Sequence, residues 1–114
     1  MLNKHDRLVR KIANSYDRRS WKVAADLPGY RFPEPPRIRG EKPDVFATKR
    51  EEKRIIEVER NIKSLYDNGL KQLEAFSKES GAKVYLVMCE QKDRDKAKEI
   101  VNAIIFRRGD KTNK

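Results

Sequence analysis

The chain has 114 residues, 28 Lys and Arg against 18 Asp and Glu, a net charge of +10 and 37% hydrophobic residues. This length suits one small domain, spanning 1–114, with a modest core under a heavily charged skin, and a lone Cys89 excludes disulfide scaffolds and thiolate zinc clusters. The longest apolar stretch, Val84 to Cys89, is far short of the roughly 20 residues a membrane helix needs, and Met1 to Lys11 is polar rather than signal-like, so an intracellular protein, cytoplasmic or nucleoid-associated, is expected.

A strongly basic surface concentrates polyanions and releases counterions when it meets phosphate backbones, which makes nucleic acid the expected partner. The charge is densest early: residues 1–42 carry eleven Lys and Arg against five Asp and Glu. The alternative is a solvated, solubilising surface.

In chain order, Leu8, Val9, Ile12, Ala13 and Tyr16 recur at helical spacing and predict a basic amphipathic helix over Leu2 to Tyr16. Trp21, Val23 and Ala25 alternate with Lys22 and Ala24 as in a short strand. Residues 26–42 hold Pro28, Gly29, Pro33, Pro35, Pro36 and Gly40 among Arg31, Arg37 and Arg39, which predicts an extended basic loop of the functional or mobile kind. Pro43 to Thr48 and Arg54 to Glu59 read as a hairpin across the charged Lys49 to Lys53. Leu70, Leu73 and Phe76 mark a second helix, with Asp67 available as its cap and Gly81 beyond its end. The apolar run Val84 to Met88 predicts a strand covered on both faces, and Ala97, Ile100, Val101, Ile104 and Ile105 predict a last helix before a frayed tail from Arg107.

Strand alternation puts Glu57 and Glu59 on one face with Ile55, and Ile56 and Val58 on the other, towards a core. Pairing of the two hairpin strands would bring Asp44 towards Glu57. Carboxylates so close raise each other's pKa unless a cation neutralises them, and Mg²⁺ is commonly held by one or two carboxylates with waters and phosphate oxygens. The competing reading is an edge hairpin whose acidic face is solvated and balances nearby Lys and Arg.

Pro43-Asp44, a hairpin, and Glu57-Val58-Glu59 at the end of an apolar strand resemble the signature of the PD-(D/E)XK nuclease superfamily, and within it the chain is similar to small Holliday-junction resolvases. The resemblance runs from Leu2 to Val87. It implies an α/β, restriction-endonuclease-like αβββαβ core with a mixed central sheet flanked by helices, to which this chain adds a C-terminal helix. It also implies Asp44 and Glu57 as ligands of Mg²⁺ or Mn²⁺, the Val58 carbonyl as a further oxygen, and Asp6 on the first helix as an acid for the same metal. Glu59 stands where the family usually has Lys; some restriction endonucleases of the superfamily carry a second Glu there, as metal ligand or base. Gln72 to Phe76 is similar to the family's Gln-x-x-x-Tyr element, with Gln72 positioning the site or meeting a phosphate. Lys71 as a relocated lysine lies about 160° from the apolar stripe of its helix.

The expected function is therefore a divalent-metal-dependent DNA endonuclease acting through Asp44, Glu57 and Glu59, with Lys4, Arg7, Lys11, Arg31, Arg37 and Arg39 on the phosphate backbone. A homodimer would pair two sites, and RNA remains open as a substrate. The rivals are an inactive DNA-binding module of the same fold and a structural subunit of a nucleoprotein complex. His5 is expected on the surface, and Tyr30 and Phe32 are conceivable base contacts.

Overall fold

The computed structural model describes residues 2–104, with the backbone alone at Ile104. Ile105 and the tail from Arg107 lie outside the described residues. Helix α1 (Lys4–Arg18) starts two residues later than its apolar spacing predicts because Asn3 caps it, its side-chain oxygen accepting from the Asp6 amide at 2.8 Å. Val9, Ala13 and Tyr16, spaced by four and three, form the buried stripe.

Strands β1 (Lys22–Ala25), β2 (Val45–Lys49), β3 (Glu52–Glu59) and β4 (Ala82–Met88) form one mixed sheet in the order β1-β2-β3-β4, antiparallel except for the parallel β3–β4 pair. The charged segment between the hairpin strands is mostly strand itself. Only Arg50 and Glu51 turn the chain, and Arg50 adopts a left-handed φ of 57°. β3 is central, with every residue from Ile55 to Glu59 buried. The expected alternation holds: Ile56 and Val58 join Val9, Ala13 and Tyr16 of α1 on one face, while Ile55 meets Ile38 and Phe76 on the other. Each large side chain so buried contributes about 1.5–3 kcal/mol.

On that second face lie α2 (Ile62–Ser64), a π-helical turn over Leu65–Gly69, α3 (Leu70–Ser77) and α4 (Arg94–Ile104). The helix thus begins earlier than the Leu70 stripe indicates. Asn61 caps it by accepting from the Ser64 amide at 2.8 Å, whereas Asp67 lies within the π turn, paired with Lys63 at 2.7 Å. Leu73 and Phe76 are buried, as are Ala97, Ile100 and Val101 of α4. β4 departs from expectation. It forms an edge of the sheet, so Lys83 and Tyr85 are exposed, while Val84, Leu86 and Met88 pack towards α3 and α4. An apolar run records burial of one face well but cannot reveal which strand ends the sheet.

The long basic loop is fastened to both helical layers. Leu27, Tyr30 and Phe32 pack on the α1 side, Arg31 reaches Asn14 at 2.7 Å and Asp17 at 3.0 Å, and Ile38 is buried against Ile55 and Phe76. Tyr30 and Phe32 stack edge to face and the Tyr30 hydroxyl meets Asn14, so both aromatics serve packing. Among the described residues no helix is long and apolar enough to cross a membrane.

Candidate active site

The hairpin register sets Val45 opposite Ile56, so Asp44, one residue before β2, falls opposite Glu57. Two backbone amides lock the pair. The Val58 amide donates to Asp44 Oδ2 at 2.7 Å, and the Asp44 amide approaches Glu57 Oε1 at 3.4 Å. Each contact uses one carboxylate oxygen, so neither commits the second oxygen of its carboxyl. Glu59, two residues along β3, is on the same face as Glu57. All three acids are buried, at 8%, 3% and 6% relative exposure for Asp44, Glu57 and Glu59.

Buried charge is costly, and the site shows it in its protonation. Burial first, then the neighbouring Asp44 and Glu59 charges, pushes Glu57 far above the usual carboxylate range. Burial also raises Glu59, with the Ser64 hydroxyl acting in the opposite direction.

The acids form one wall of a cleft of about 380 Å³ lined also by Asn3, His5, Val58, Arg60, Ser64, Asn68 and Gln72. The place of the Glu59 carboxyl depends on Gly69. A Cβ there would lie 2.5 Å from Glu59 Oε2, so the π turn carries a bare backbone past the Glu59 carboxyl. Single π turns often mark functional positions.

His5, expected on the surface, is instead inserted into this site from the first turn of α1. Its Nε2 donates to the Val58 carbonyl at 3.0 Å and lies 3.4 Å from Asp44 Oδ2, and its Nδ1 donates to Asp6 Oδ1 at 2.9 Å. Its pKa rises to about 9, because the Asp44 contact outweighs the cost of burial and Asp6 adds to it. A contact spanning 53 residues of sequence leaves no local signal. Asn3, Arg60, Ser64 and Asn68 were likewise not singled out by sequence; a polar residue beside a capping box is ordinary on its own.

The structure therefore brings Asp44, Glu57, Val58, Glu59 and Gln72 together at one cleft. Asp6 does not line it and reaches it only through His5. Nor do Arg7, Lys11, Arg31, Arg37 and Arg39 line it; Arg37 and Arg39 donate to the carbonyls of Gly40 and Lys78. Lys4, paired with Glu90, borders an adjoining hollow with Arg60, Lys63 and Lys92. Lys71 is 81% exposed and pairs with Glu41, away from the acids.

Among the described residues no three His, Cys, Asp or Glu side chains converge into a ready-made metal cage. Mg²⁺ does not require one, since it keeps several waters and takes one or two carboxylates with substrate phosphate oxygens. The donor set of Asp44, Glu57 and the Val58 carbonyl suits that hard cation: all are oxygens, and the carbonyl keeps a second lone pair beside the one His5 engages. Compared with known proteins, the chain matches no family model, no curated protein and no solved structure.

Proposed function

We propose that the chain is a divalent-metal-dependent DNA endonuclease with a restriction-endonuclease-like core. The observation that carries this reading is the meeting of buried Asp44 and Glu57 at one cleft, Asp44 accepting from the Val58 amide and Glu57 from the Asp44 amide, in a protein of net charge +10. The mixed sheet with helices on both faces is compatible with that core. Three buried acids gathered on one wall are an unfavourable arrangement for stability alone, and a strong perturbation of titratable groups in a cleft favours a functional site.

Asp44, Glu57 and the Val58 carbonyl would hold Mg²⁺ or Mn²⁺, which supplies Lewis-acid polarisation of the phosphate and a lowered pKa for the attacking water. Glu59 is the general base of this scheme. It shares the face of Glu57, and burial raises its proton affinity, which makes it a better acceptor than a solvated carboxylate. Gln72, at the cleft wall, donates its amide hydrogens to a phosphate oxygen, and Asn3 and Asn68 line the same wall.

The deciding experiment is cleavage of labelled linear duplex, single-stranded and four-way-junction DNA, with an RNA duplex in parallel, in Mg²⁺ or Mn²⁺. Cutting that stops with chelator and falls at least 100-fold in both Asp44→Ala and Glu57→Ala is expected. Tight binding without cutting in any lane would overturn the enzyme and favour the second reading, an inactive DNA-binding module, which the acid at position 59 already favours over a catalyst built around a lysine.

A further inference from the structure

Beside the acidic cleft lies a hollow of about 600 Å³, and its walls originate in the topology of the sheet. β3 and β4 run parallel and end in register, Glu59 opposite Met88, with the Cys89 amide donating to the Glu59 carbonyl at 2.9 Å. Arg60 to Lys63 leave the end of β3 and Cys89 to Asp93 leave the end of β4. Apart from Lys4 of α1, every residue lining the hollow belongs to one of these two segments. Crevices outside the carboxyl ends of the strands are the usual ligand sites of open α/β sheets.

The lining selects an anion. It sets Lys4, Arg60, Lys63 and Lys92 against two acids, Glu90 and Asp93. Lys4 pairs with Glu90 and Lys63 with Asp67, whereas Arg60 and Lys92 take no hydrogen bond or ion pair among the described residues, which leaves two cations for a ligand. The same lining includes half-buried Ile62 and Cys89. A phosphate alone needs no apolar surface; a nucleotide, which carries its phosphate on a sugar and a flat base, matches both kinds of wall. The volume falls in the range of about 300–1,000 Å³ of small-molecule sites. Arg60 lines the cleft as well, so hollow and acids meet at one side chain. A nucleotide within a regular duplex keeps its base stacked and paired and cannot enter a recess, and extruding it costs least where pairing is already absent.

We infer that the hollow receives an unpaired nucleotide next to the scissile phosphate, its own phosphate on Arg60 and Lys92 and its nucleoside against Ile62 and Cys89. The preferred substrate is then a nucleic acid single-stranded at the point of cutting, as in a fork, a flap or a free strand. The inference rests on the nuclease reading and adds to it the class of substrate.

Cys89 is the only cysteine of the chain and so reports on the hollow directly. The test uses the full chain in chelator, saturated in turn with a forked DNA and with a fully paired duplex of equal length. Two quantities are read: the rate at which iodoacetamide alkylates Cys89, and affinity by fluorescence anisotropy for wild type and Lys92→Ala. Lys92 is exposed, so its truncation leaves the fold intact. The fork should slow alkylation about fivefold or more and the duplex less than about twofold. Lys92→Ala should weaken fork binding about three- to tenfold and change duplex binding less than about twofold. Equal protection by the two DNAs, protection by neither, or a Lys92→Ala variant that loses nothing or loses equally for both overturns the inference. Cutting of the same fork in Mg²⁺ is read separately. A fork that is cut without shielding Cys89 overturns the hollow and leaves the nuclease reading standing; a fork that shields Cys89 and is never cut overturns the nuclease and leaves the hollow a nucleotide site. A wild type that binds neither DNA overturns both.

Discussion

Glu57 and His5 hold protons more tightly in the folded chain than they would in the unfolded one, and both therefore tie stability to pH in the same direction. Burial and like charges lift Glu57 above its ordinary 4.5, and the Asp44 contact lifts His5 from 6.5 to about 9. A raised folded pKa gives stability that is complete below the unfolded value and is lost as pH climbs through the folded one. The Glu57 contribution starts to fall above pH 4.5 and the His5 contribution between 6.5 and about 9. Each can steepen the decline by at most about 1.4 kcal/mol per pH unit. Urea unfolding in chelator should show stability decreasing from pH 6 to pH 9. Glu57→Gln imitates the protonated acid and keeps an oxygen for the Asp44 amide, so it should match wild type near pH 4.5 and gain on it as pH rises, exceeding it by about 1 kcal/mol or more at pH 9. Two parallel curves would mean that Glu57 is ionised at neutral pH without a cation.

At the scale of elements, the π turn makes the site possible. Gly69 has ordinary helical dihedrals, φ −62° and ψ −41°, so its role is space, not backbone freedom. Replacing it with Ala brings a helix-propensity gain of about 0.8–1 kcal/mol, set against a Cβ 2.5 Å from Glu59 Oε2 and 3.0 Å from Leu65 Cδ1. The carboxyl must turn away. Gly69→Ala should therefore change chemical-denaturation stability by less than about 1 kcal/mol yet reduce cleavage at least tenfold, and in a Glu59→Ala background the same substitution should have little further effect on the rate. Additive losses would place Gly69 outside the site. This turn also marks where sequence reading stops. The Asp44–Glu57 pairing was legible because a hairpin register is local, and the shared face of Glu57 and Glu59 follows from strand alternation. The backbone detour at Gly69 exists only because Glu59 of another element comes against it, and Asp67 resembles a cap only while that approach is unknown. His5 was illegible for the same reason: α1 delivers it across the sheet to Val58. Likewise the loop at 26–42 reads as free from its Pro and Gly content, whereas Ile38 and Arg31 fasten it through contacts no local pattern announces.

Over the whole molecule, the proposed nuclease function requires the excess positive charge and the acidic cleft to serve one partner. In that reading a polyanion drawn by the surface meets an acidic cleft wall, so its backbone enters where cations border the acids. Arg60 satisfies that condition. It follows Glu59 directly, lines both the cleft and the hollow shared with Lys4, Lys63 and Lys92, and takes no hydrogen bond or ion pair among the described residues. Lys4 and Lys63 must first give up Glu90 and Asp67. Arg50 makes a fair control, since it sits in the hairpin turn at the opposite end of β3 from Glu59. Log affinity for duplex DNA falls with log salt at a slope of about −0.9 per neutralised phosphate. Arg60→Ala should weaken binding about three- to tenfold at 100 mM KCl and make that slope shallower by about one, whereas Arg50→Ala should leave both within error. Fluorescence anisotropy from 50 to 300 mM KCl in chelator separates the cases without requiring cleavage. Equal losses in both variants would indicate a diffuse electrostatic surface, and the acids would then face a route that nucleic acid does not follow.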